Sequence, residues 1–236
     1  MIATPGNTPT RAARGTTATI PIVFGVAEDP VKLGLVASLA RPGGNATGIN
    51  FFFIEVLAKR MGLLHEMLPK AVRIAVLVNP ANVPTAEATL RDLPAAARTL
   101  GLQIQVLKAR TSREIEAAFA TLVRDPADAF FVAPDGFFSS RRVQFATLAA
   151  HHRVPATYFL REFVEVGGLM SYGIDILDVY RQVGVYTGQI LKGAKPADLP
   201  VVQSTKFEFV INLQTARALG IEVPNSLQLL ADEVIE

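Results

Sequence analysis

The stretch VRIAVLVNPAN, residues 72–82, decides the fold class of this chain. Its first seven positions are almost all apolar, a pattern typical of a strand that is buried on both faces of a parallel sheet. Asn79 and Pro80 end the strand, because proline lacks the amide that a central strand would use. Parallel strands are joined by crossovers, usually helices, so the stretch predicts an α/β fold.

Strand-like and helix-like segments alternate on both sides of this stretch. Apolar and β-branched runs predict further strands over residues 20–26, 46–50, 103–109, 129–133, 155–159, 169–172 and 207–211. Apolar residues three and four positions apart predict helices over residues 31–39, 57–68, 86–100, 115–122, 140–152, 179–190 and 215–219. Strands that alternate with helices of this length indicate right-handed βαβ units in parallel sheets.

Local signals sharpen several of these predictions. Asp29 before Pro30 favours a helix start, because aspartate caps and proline suits the first helical position. Pro94 lies inside a helical pattern and should kink or divide that helix. Thr111 and Glu114 have the spacing of a capping box. Residues 1–19 are predicted to form a polar break, and the tail after residue 219 is predicted to be irregular.

Composition excludes several classes of protein. Half of the 236 residues are hydrophobic and 19% are charged, which indicates a globular chain. The net charge of +2 gives no basic stripe for nucleic acid. Without cysteine there are no disulfides, thiolate metal sites or cysteine nucleophiles. No run of eighteen apolar residues predicts a membrane span, and residues 1–19 lack the apolar centre of a secretory signal, so we interpret the chain as mature or truncated.

Motifs for catalysis, nucleotides and metals are absent. The sequence has no phosphate-binding loop, no G-x-G-x-x-G after a strand and no G-x-S-x-G. His65, His151 and His152 do not have the spacing of a metal site, and we interpret them as surface or helix-terminal residues. We therefore predict no metal, no cofactor and no enzymatic activity.

Candidate ligand-binding residues follow the predicted strands, because parallel α/β sheets bind ligands at the carboxyl ends of their strands. They supply carboxylates, amides and aromatic rings, which suits a zwitterionic or polar solute with an apolar part. Each polar residue also has a purely structural interpretation as a helix cap or turn former. The candidates are Asp29, Asn79, Asn82, Asp135, Phe137, Tyr172 and Asp175.

Three consecutive rings, Phe51, Phe52 and Phe53, are also unusual. Three neighbouring side chains cannot all face one core. Two interpretations stay open for them: a buried crossover segment, or a hinge wall that faces a cleft.

Five ordered blocks carry a resemblance to a known family. The stretch IPIVFGVAEDPVKLGLVASLARPGGNATGIN, residues 20–50, closely resembles ABC-transporter substrate-binding proteins of a family that includes binders of aromatic amino acids. The other blocks are RIAVLVNPAN at 73–82, GGLMSYGID at 167–175, ILKGAKPADLPV at 190–201 and FEFVINLQTARALGIEVPNSLQLLADEVI at 207–235. The resemblance runs from residue 20 to the C-terminus.

This resemblance implies the type I periplasmic binding fold, in which two parallel-sheet α/β lobes close around a solute. Three crossings would join the lobes, near residues 48–53, 172–175 and 202–206. Lobe one would be residues 1–50 plus 176–202, and lobe two residues 51–175 plus 203–236. The implied function is to capture a small solute, such as an amino acid, in the periplasm and to deliver it to an ABC permease in the membrane.

The N-terminal segment departs from the family pattern. Family members carry two strand–helix units before the segment that matches residues 1–19, so the first lobe is expected to be incomplete. The family's Gly/Thr-rich loop in this region helps to hold the ligand. Gly6, Thr8 and Thr10 resemble its remnant, which adds Thr8 to the candidate residues. A homodimer would compensate for an incomplete lobe.

Two other functions compete with transport. The ligand-sensing domains of transcriptional regulators have the same fold, and a helix-turn-helix in the full gene would favour that alternative. A two-lobed racemase or lyase would need an acid–base pair. Asp29, Asp135 and Asp175 could supply carboxylates, but no histidine follows a strand.

Overall fold

A computed structural model of the chain describes residues 1–51 and 56–236. The chain divides into two compact units. Unit 1 comprises Met1–Phe53 and Ile174–Lys206, and unit 2 comprises Ile54–Gly173 and Phe207–Glu236. Each unit therefore combines segments that are far apart in the sequence. That the two units act as lobes closing on a solute stays a prediction.

Strands and helices alternate through the described residues. The strands are β1 (Ile2–Pro5), β2 (Ile22–Val26), β3 (Ala46–Phe51), β4 (Arg73–Val78), β5 (Gln103–Lys108), β6 (Ala129–Val132), β7 (Ala156–Tyr158), β8 (Met170–Ile174), β9 (Val202–Ser204), β10 (Phe207–Asn212) and β11 (Glu233–Ile235). The helices are α1 (Asn7–Thr16), α2 (Leu57–Met67), α3 (Val83–Thr99), α4 (Ser112–Arg124), α5 (Gly136–Ser140), α6 (Arg142–His152), α7 (Glu162–Glu165), α8 (Ile176–Leu191), α9 (Leu213–Leu219) and α10 (Asn225–Leu230).

Unit 1 is built on a parallel sheet with the strand order β1-β2-β3-β9. All residues of β2 and β3 are buried, as expected for strands covered on both faces. On one face Ile22, Phe24 and Val26 pack with Leu35 and Val36. On the other face Gly25 packs against α8, close to the Val179 side chain.

Unit 2 contains a larger sheet with the order β11-β10-β8-β7-β6-β4-β5. The strands from β5 to β8 pair in parallel, and β10 pairs in parallel with β11. Ile74, Val76 and Val78 of β4 point to one face and pack into a core with Phe131 and Met61. Ala75 and Leu77 on the other face are also fully buried, so the predicted two-sided burial holds for residues 74–78, while Val72 is exposed. The predicted α/β fold class is confirmed.

The segment after β2 corrects one helix prediction. Asp29 does cap, since its Oδ1 accepts hydrogen bonds from the amides of Val31 (2.8 Å) and Lys32 (3.4 Å). The chain nevertheless forms turns and no helix over residues 31–39. Gly34 adopts a φ of 68°, in the left-handed region, which stops helical propagation after a single turn. Of the predicted helix face, Leu35 enters the core of unit 1 and Leu39 packs against it, whereas Val31 is exposed.

Three further local predictions differ from the structure. The N-terminal segment predicted as a polar break forms β1 and α1, because β1 pairs in parallel with β2 at the edge of the sheet. The tail predicted as irregular contains α10 and β11. Of the two outcomes predicted for Pro94, division is wrong, because α3 continues for 17 residues around it, and a kink stays a prediction.

The predicted capping box at α4 is half formed. The Thr111 hydroxyl accepts the amide of Glu114 at 3.2 Å. The Glu114 carboxylate accepts the amide of Arg110 at 2.7 Å, one residue before the cap. Of the three consecutive rings, Phe51 ends β3, and the predictions for Phe52 and Phe53 lie outside the described residues. In the part of the chain that the structure describes, no helix is long and apolar enough to span a membrane.

Candidate functional site

The carboxyl ends of β4 and β6 form the polar edge of unit 2. These strands are parallel neighbours with Leu77 opposite Val132, so the residues that follow them come together. The Asn79 amide nitrogen donates to Asp135 Oδ1 at 2.9 Å, and the Asn82 amide nitrogen donates to Asp135 Oδ2 at 3.0 Å. Three of the predicted site residues therefore form one hydrogen-bonded cluster, which we call the Asp135 cluster.

Asp135 also performs the structural role that its sequence position suggested. Its Oδ1 accepts the amides of Phe137 (3.0 Å) and Phe138 (3.2 Å) and so caps α5. The residue is buried, and its carboxylate is held by four hydrogen bonds. Because both asparagines donate to it, the cluster presents a fixed negative charge at the sheet edge.

Two aromatic candidates lie in unit 2, in different settings. Phe137, half-buried on α5, lies 6.1 Å from the Phe138 ring and 5.3 Å from the Arg141 guanidinium carbon. Tyr172 lies inside β8 and not at its end, and its ring stacks on Phe207 with 6.2 Å between centroids. Partial burial, helped by the charge of Asp232, raises the pKa of the Tyr172 phenol. The phenol therefore stays protonated at neutral pH.

The remaining candidates lie in unit 1 and are not brought together by hydrogen bonds to one another. Thr8 is exposed in the first turn of α1, just after β1. Asp29 is exposed in the turn after β2. Asp175 caps α8 by accepting the Asp178 amide at 2.9 Å, and its second oxygen accepts from the Lys206 ammonium.

Sequence reasoning missed the asparagines that organise the strand ends of unit 1. The Asn7 side-chain oxygen accepts the Ala27 amide at 3.3 Å. The Asn50 side-chain amide donates to the carbonyls of Val26 (3.1 Å) and Glu28 (2.8 Å). Both side chains are buried and hold the turn that follows β2. A buried-strand prediction that ends on an asparagine, as at residues 46–50, was the available signal.

Arg60 was also missed. It is fully buried in α2, and one of its Nη atoms donates to the Val132 carbonyl at 2.8 Å, at the carboxyl end of β6. The signal was its spacing, since Arg60 lies three residues after Leu57 and four before Leu64, on the apolar face of the predicted helix.

A cavity of about 400 Å³ lies at the opposite ends of the strands of unit 2. Ala156 and Leu169 line it at the starts of β7 and β8, together with residues of α6 and α9. Two of its polar side chains are already engaged, because the Thr215 hydroxyl donates to the Gly167 carbonyl and the Gln214 amide to the Glu236 carbonyl, and Arg153 also lines it. We therefore place the candidate site at the Asp135 cluster.

We also searched the described residues for a possible metal site. Across residues 1–51 and 56–236, no three histidine, aspartate or glutamate side chains converge as metal ligands do.

Known proteins resemble this chain in sequence and in fold. A tyrosine-binding protein of Clostridioides difficile is 28% identical over 212 residues, which cover 90% of this chain and 60% of that protein. The chain thus spans about three fifths of the length of this curated relative. An ABC domain from Streptococcus pneumoniae, solved in complex with L-Trp, superimposes with a TM-score of 0.87 at 27% identity, covering 100% of this chain and 80% of that chain.

Other solved structures separate the family from the wider fold. A conserved domain protein from Vibrio cholerae has a TM-score of 0.87 and 27% identity, covering 99% of this chain and 78% of its own. A transcriptional regulator of the LacI family from Bifidobacterium animalis has 10% identity at a TM-score of 0.56, which shows a shared fold alone. The family profile described as ABC transporter substrate binding protein matches residues 1–235, so the chain belongs to the ABC transporter substrate-binding protein family.

Proposed function

We propose that this chain is the solute-binding component of an ABC importer and that its solute is an aromatic amino acid. Family membership supports solute binding and delivery to a permease. The relatives named for tyrosine binding and solved with L-Trp support the class of solute. Family members work outside the cytoplasm, and we propose the periplasm as the site of action.

The observation that carries the choice of solute is the Asp135 cluster. A fixed carboxylate at the end of a strand suits the ammonium group that every amino acid carries. We propose that the solute ammonium binds Asp135 and that the amides of Asn79 and Asn82 hold the carboxylate in place. Phe137 and Tyr172 would supply aromatic surface for the solute ring. Ligand contacts of Thr8, Asp29 and Asp175 stay predictions.

Catalysis and regulation have less support. The Asp135 and Asp175 carboxylates are engaged as helix caps, which gives neither the freedom of a general acid or base. No residue of the described chain favours a regulator over a transport protein. The homodimer also remains a prediction of the sequence alone, which light scattering of the purified protein would test.

Calorimetric titration of the purified chain with amino acids tests the proposal. We expect binding of tyrosine, tryptophan or phenylalanine, and a rise in melting temperature that grows with ligand concentration. Leucine and glutamate, which share the ammonium and carboxylate but lack the ring, should bind at least about 10-fold more weakly. The proposed function is wrong if no amino acid binds.

The substitution Asp135→Asn tests the site. Asparagine can still cap α5 through Oδ1, so the fold should persist. Its NH2 group replaces the oxygen that accepts from Asn82, and the loss of this hydrogen bond and of the charge should weaken binding by roughly 10- to 100-fold. Asp92→Asn, the same change at an exposed residue of α3, is the matched control and should leave the affinity unchanged. Wild-type affinity in the Asp135 variant would remove Asp135 from the site.

A further inference from the structure

Arg60 is a buried cation with most of its hydrogen-bonding capacity unused. The side chain has 0% exposure. One Nη donates to the Val132 carbonyl, while Nε and the other Nη have no partner within residues 1–51 and 56–236. No carboxylate of those residues forms an ion pair with it. Buried arginines are normally paired, so this one requires an explanation.

The surroundings of Arg60 do not neutralise its charge. Its guanidinium carbon lies 3.9 Å from the centroid of the Phe131 ring, a cation–π contact that offsets only part of the lost hydration. Burial lowers the pKa of the guanidinium to about 9, which still leaves it charged at neutral pH. A buried charge without a counter-charge lowers the stability of the fold, and a bound anion would compensate for it.

A second unpartnered polar group lies next to the same ring. Thr157 of β7 pairs with Phe131 of β6 in the parallel register, so the two side chains point to the same face of the sheet. Thr157 has 0% exposure, and its hydroxyl has no hydrogen-bond partner among the described residues. A guanidinium with two free donors and a free hydroxyl therefore flank the Phe131 ring.

We propose that Arg60 and Thr157 form the subsite that binds the carboxylate of the solute, an inference that rests on the proposed function. A free guanidinium N–H can donate to a carboxylate oxygen while Nη2 stays on the Val132 carbonyl, and the Thr157 hydroxyl supplies a further donor. Arg60 touches the last residue of β6, and Asp135 follows three residues later. The two charges of an amino acid thus meet opposite charges at the same end of one strand. Because both residues are fully buried, the carboxylate enters when the groups that cover them move.

The test compares an amino acid with its decarboxylated amine. Tyramine and tryptamine keep the ring and the ammonium of tyrosine and tryptophan but lack the carboxylate. Of tyrosine and tryptophan, the one with the higher affinity should bind to the wild-type chain roughly 100-fold more tightly than its amine does. In Arg60→Met, which keeps the length and apolar stem of the side chain, this preference should vanish while the affinity for the amine stays the same.

Stability without ligand separates a binding role from a structural role. Removing an unpaired buried charge should leave the melting temperature of ligand-free Arg60→Met unchanged or higher. Thr157→Val, which is isosteric, should weaken amino-acid binding by about 10-fold and leave amine binding unchanged. Arg91→Met, at an exposed residue of α3, is the control and should behave as wild type.

Each contrary result has a distinct meaning. Failure of the wild-type chain to bind any amino acid overturns the proposed function and the subsite with it. If the wild type binds amino acids but Arg60→Met keeps the preference over the amine, only the subsite is wrong. A melting temperature that formate or chloride raises in wild type but not in Arg60→Met, with unchanged amino-acid affinity, would show a structural anion instead.

Discussion

Gly173 shows how one residue fixes the packing of a strand. It lies in β8, and a methyl group at its Cα would lie 1.9 Å from the carbonyl oxygen of Phe159. Backbone cannot yield as the end of a flexible side chain can. The glycine in the GGLMSYGID block is therefore explained by the close approach of two backbone segments, and not by an unusual φ.

We predict that Gly173→Ala destabilises the chain by roughly 3 kcal/mol, because β8 must shift to relieve the overlap. Gly184→Ala is the matched control, since Gly184 lies exposed within α8 with nothing near its Cα. That control should be neutral or stabilising by up to about 1 kcal/mol. Urea unfolding of both variants checks the prediction, which fails if the two variants are equally stable.

The candidate site was predictable only in part at this scale. Asn79, Asn82 and Asp135 could be found because the ends of neighbouring parallel strands must meet at one edge. Arg60 could not be assigned from its spacing alone. A single arginine on an apolar helix face can extend its stem and place its charge in water. Whether it is buried depends on what covers α2.

At the scale of elements, α8 shows how a helix start is held. Partial burial alone would raise the pKa of Asp175, but hydrogen bonds from the Lys206 ammonium and the Asp178 amide outweigh it and hold that pKa below its usual range. The Asp175 amide also donates to the Lys206 carbonyl at 3.0 Å. The start of α8 and the end of the β9 segment are therefore tied together.

Asp175→Asn tests this electrostatic contribution through its pH dependence. A folded-state pKa below the unfolded value near 4 means that the charge stabilises the fold fully above that pH. The stabilisation is lost as the pH falls through the lower, folded-state pKa. The free energy of unfolding should therefore differ between wild type and variant at pH 7, and the difference should shrink below pH 4. Urea unfolding from pH 7 to pH 3 measures it, and a pH-independent difference would contradict the ion pair.

At two places the spacing of apolar residues did not predict the secondary structure. The apolar positions of residues 31–39 predicted a helix, but Gly34 in the left-handed conformation gave turns that bury Leu35 and leave Val31 exposed. Strand β11 was not predicted because it is three residues long and is stabilised by contacts with residues distant in the sequence. Arg161 forms ion pairs with Glu208 of β10 and Glu233 of β11. Such long-range partners leave no local pattern in the sequence.

At the scale of the molecule, each unit depends on segments distant in sequence. Unit 2 receives β10 and β11 from residues 207–236, and β10 is the neighbour of β8 in the sheet. Phe209 and Ile211 enter its core from this segment. Without them, β8 would be an exposed sheet edge with an open core beside it.

We predict that residues 56–173 alone do not fold, while the same segment joined to residues 207–236 does. The hydrogen bond between Asp175 and Lys206 shows that the ends to be joined lie close together, so a Gly/Ser linker of about four residues suffices. Circular dichroism and thermal unfolding check both polypeptides. A cooperative transition in residues 56–173 alone would show that β10 and β11 are dispensable.

Local periodicity and ordered blocks of residues were enough to predict the α/β class, most strand and helix positions and the family. They also predicted that Asn79 and Asp135 each follow a strand, but the two residues meet because β4 and β6 are neighbours in the sheet. No sequence pattern predicted that residues 31–39 form turns, that β1 and β11 exist, or that Arg60 is buried without a counter-charge among the described residues. Those outcomes depend on hydrogen bonds and packing from distant segments, which no local pattern encodes.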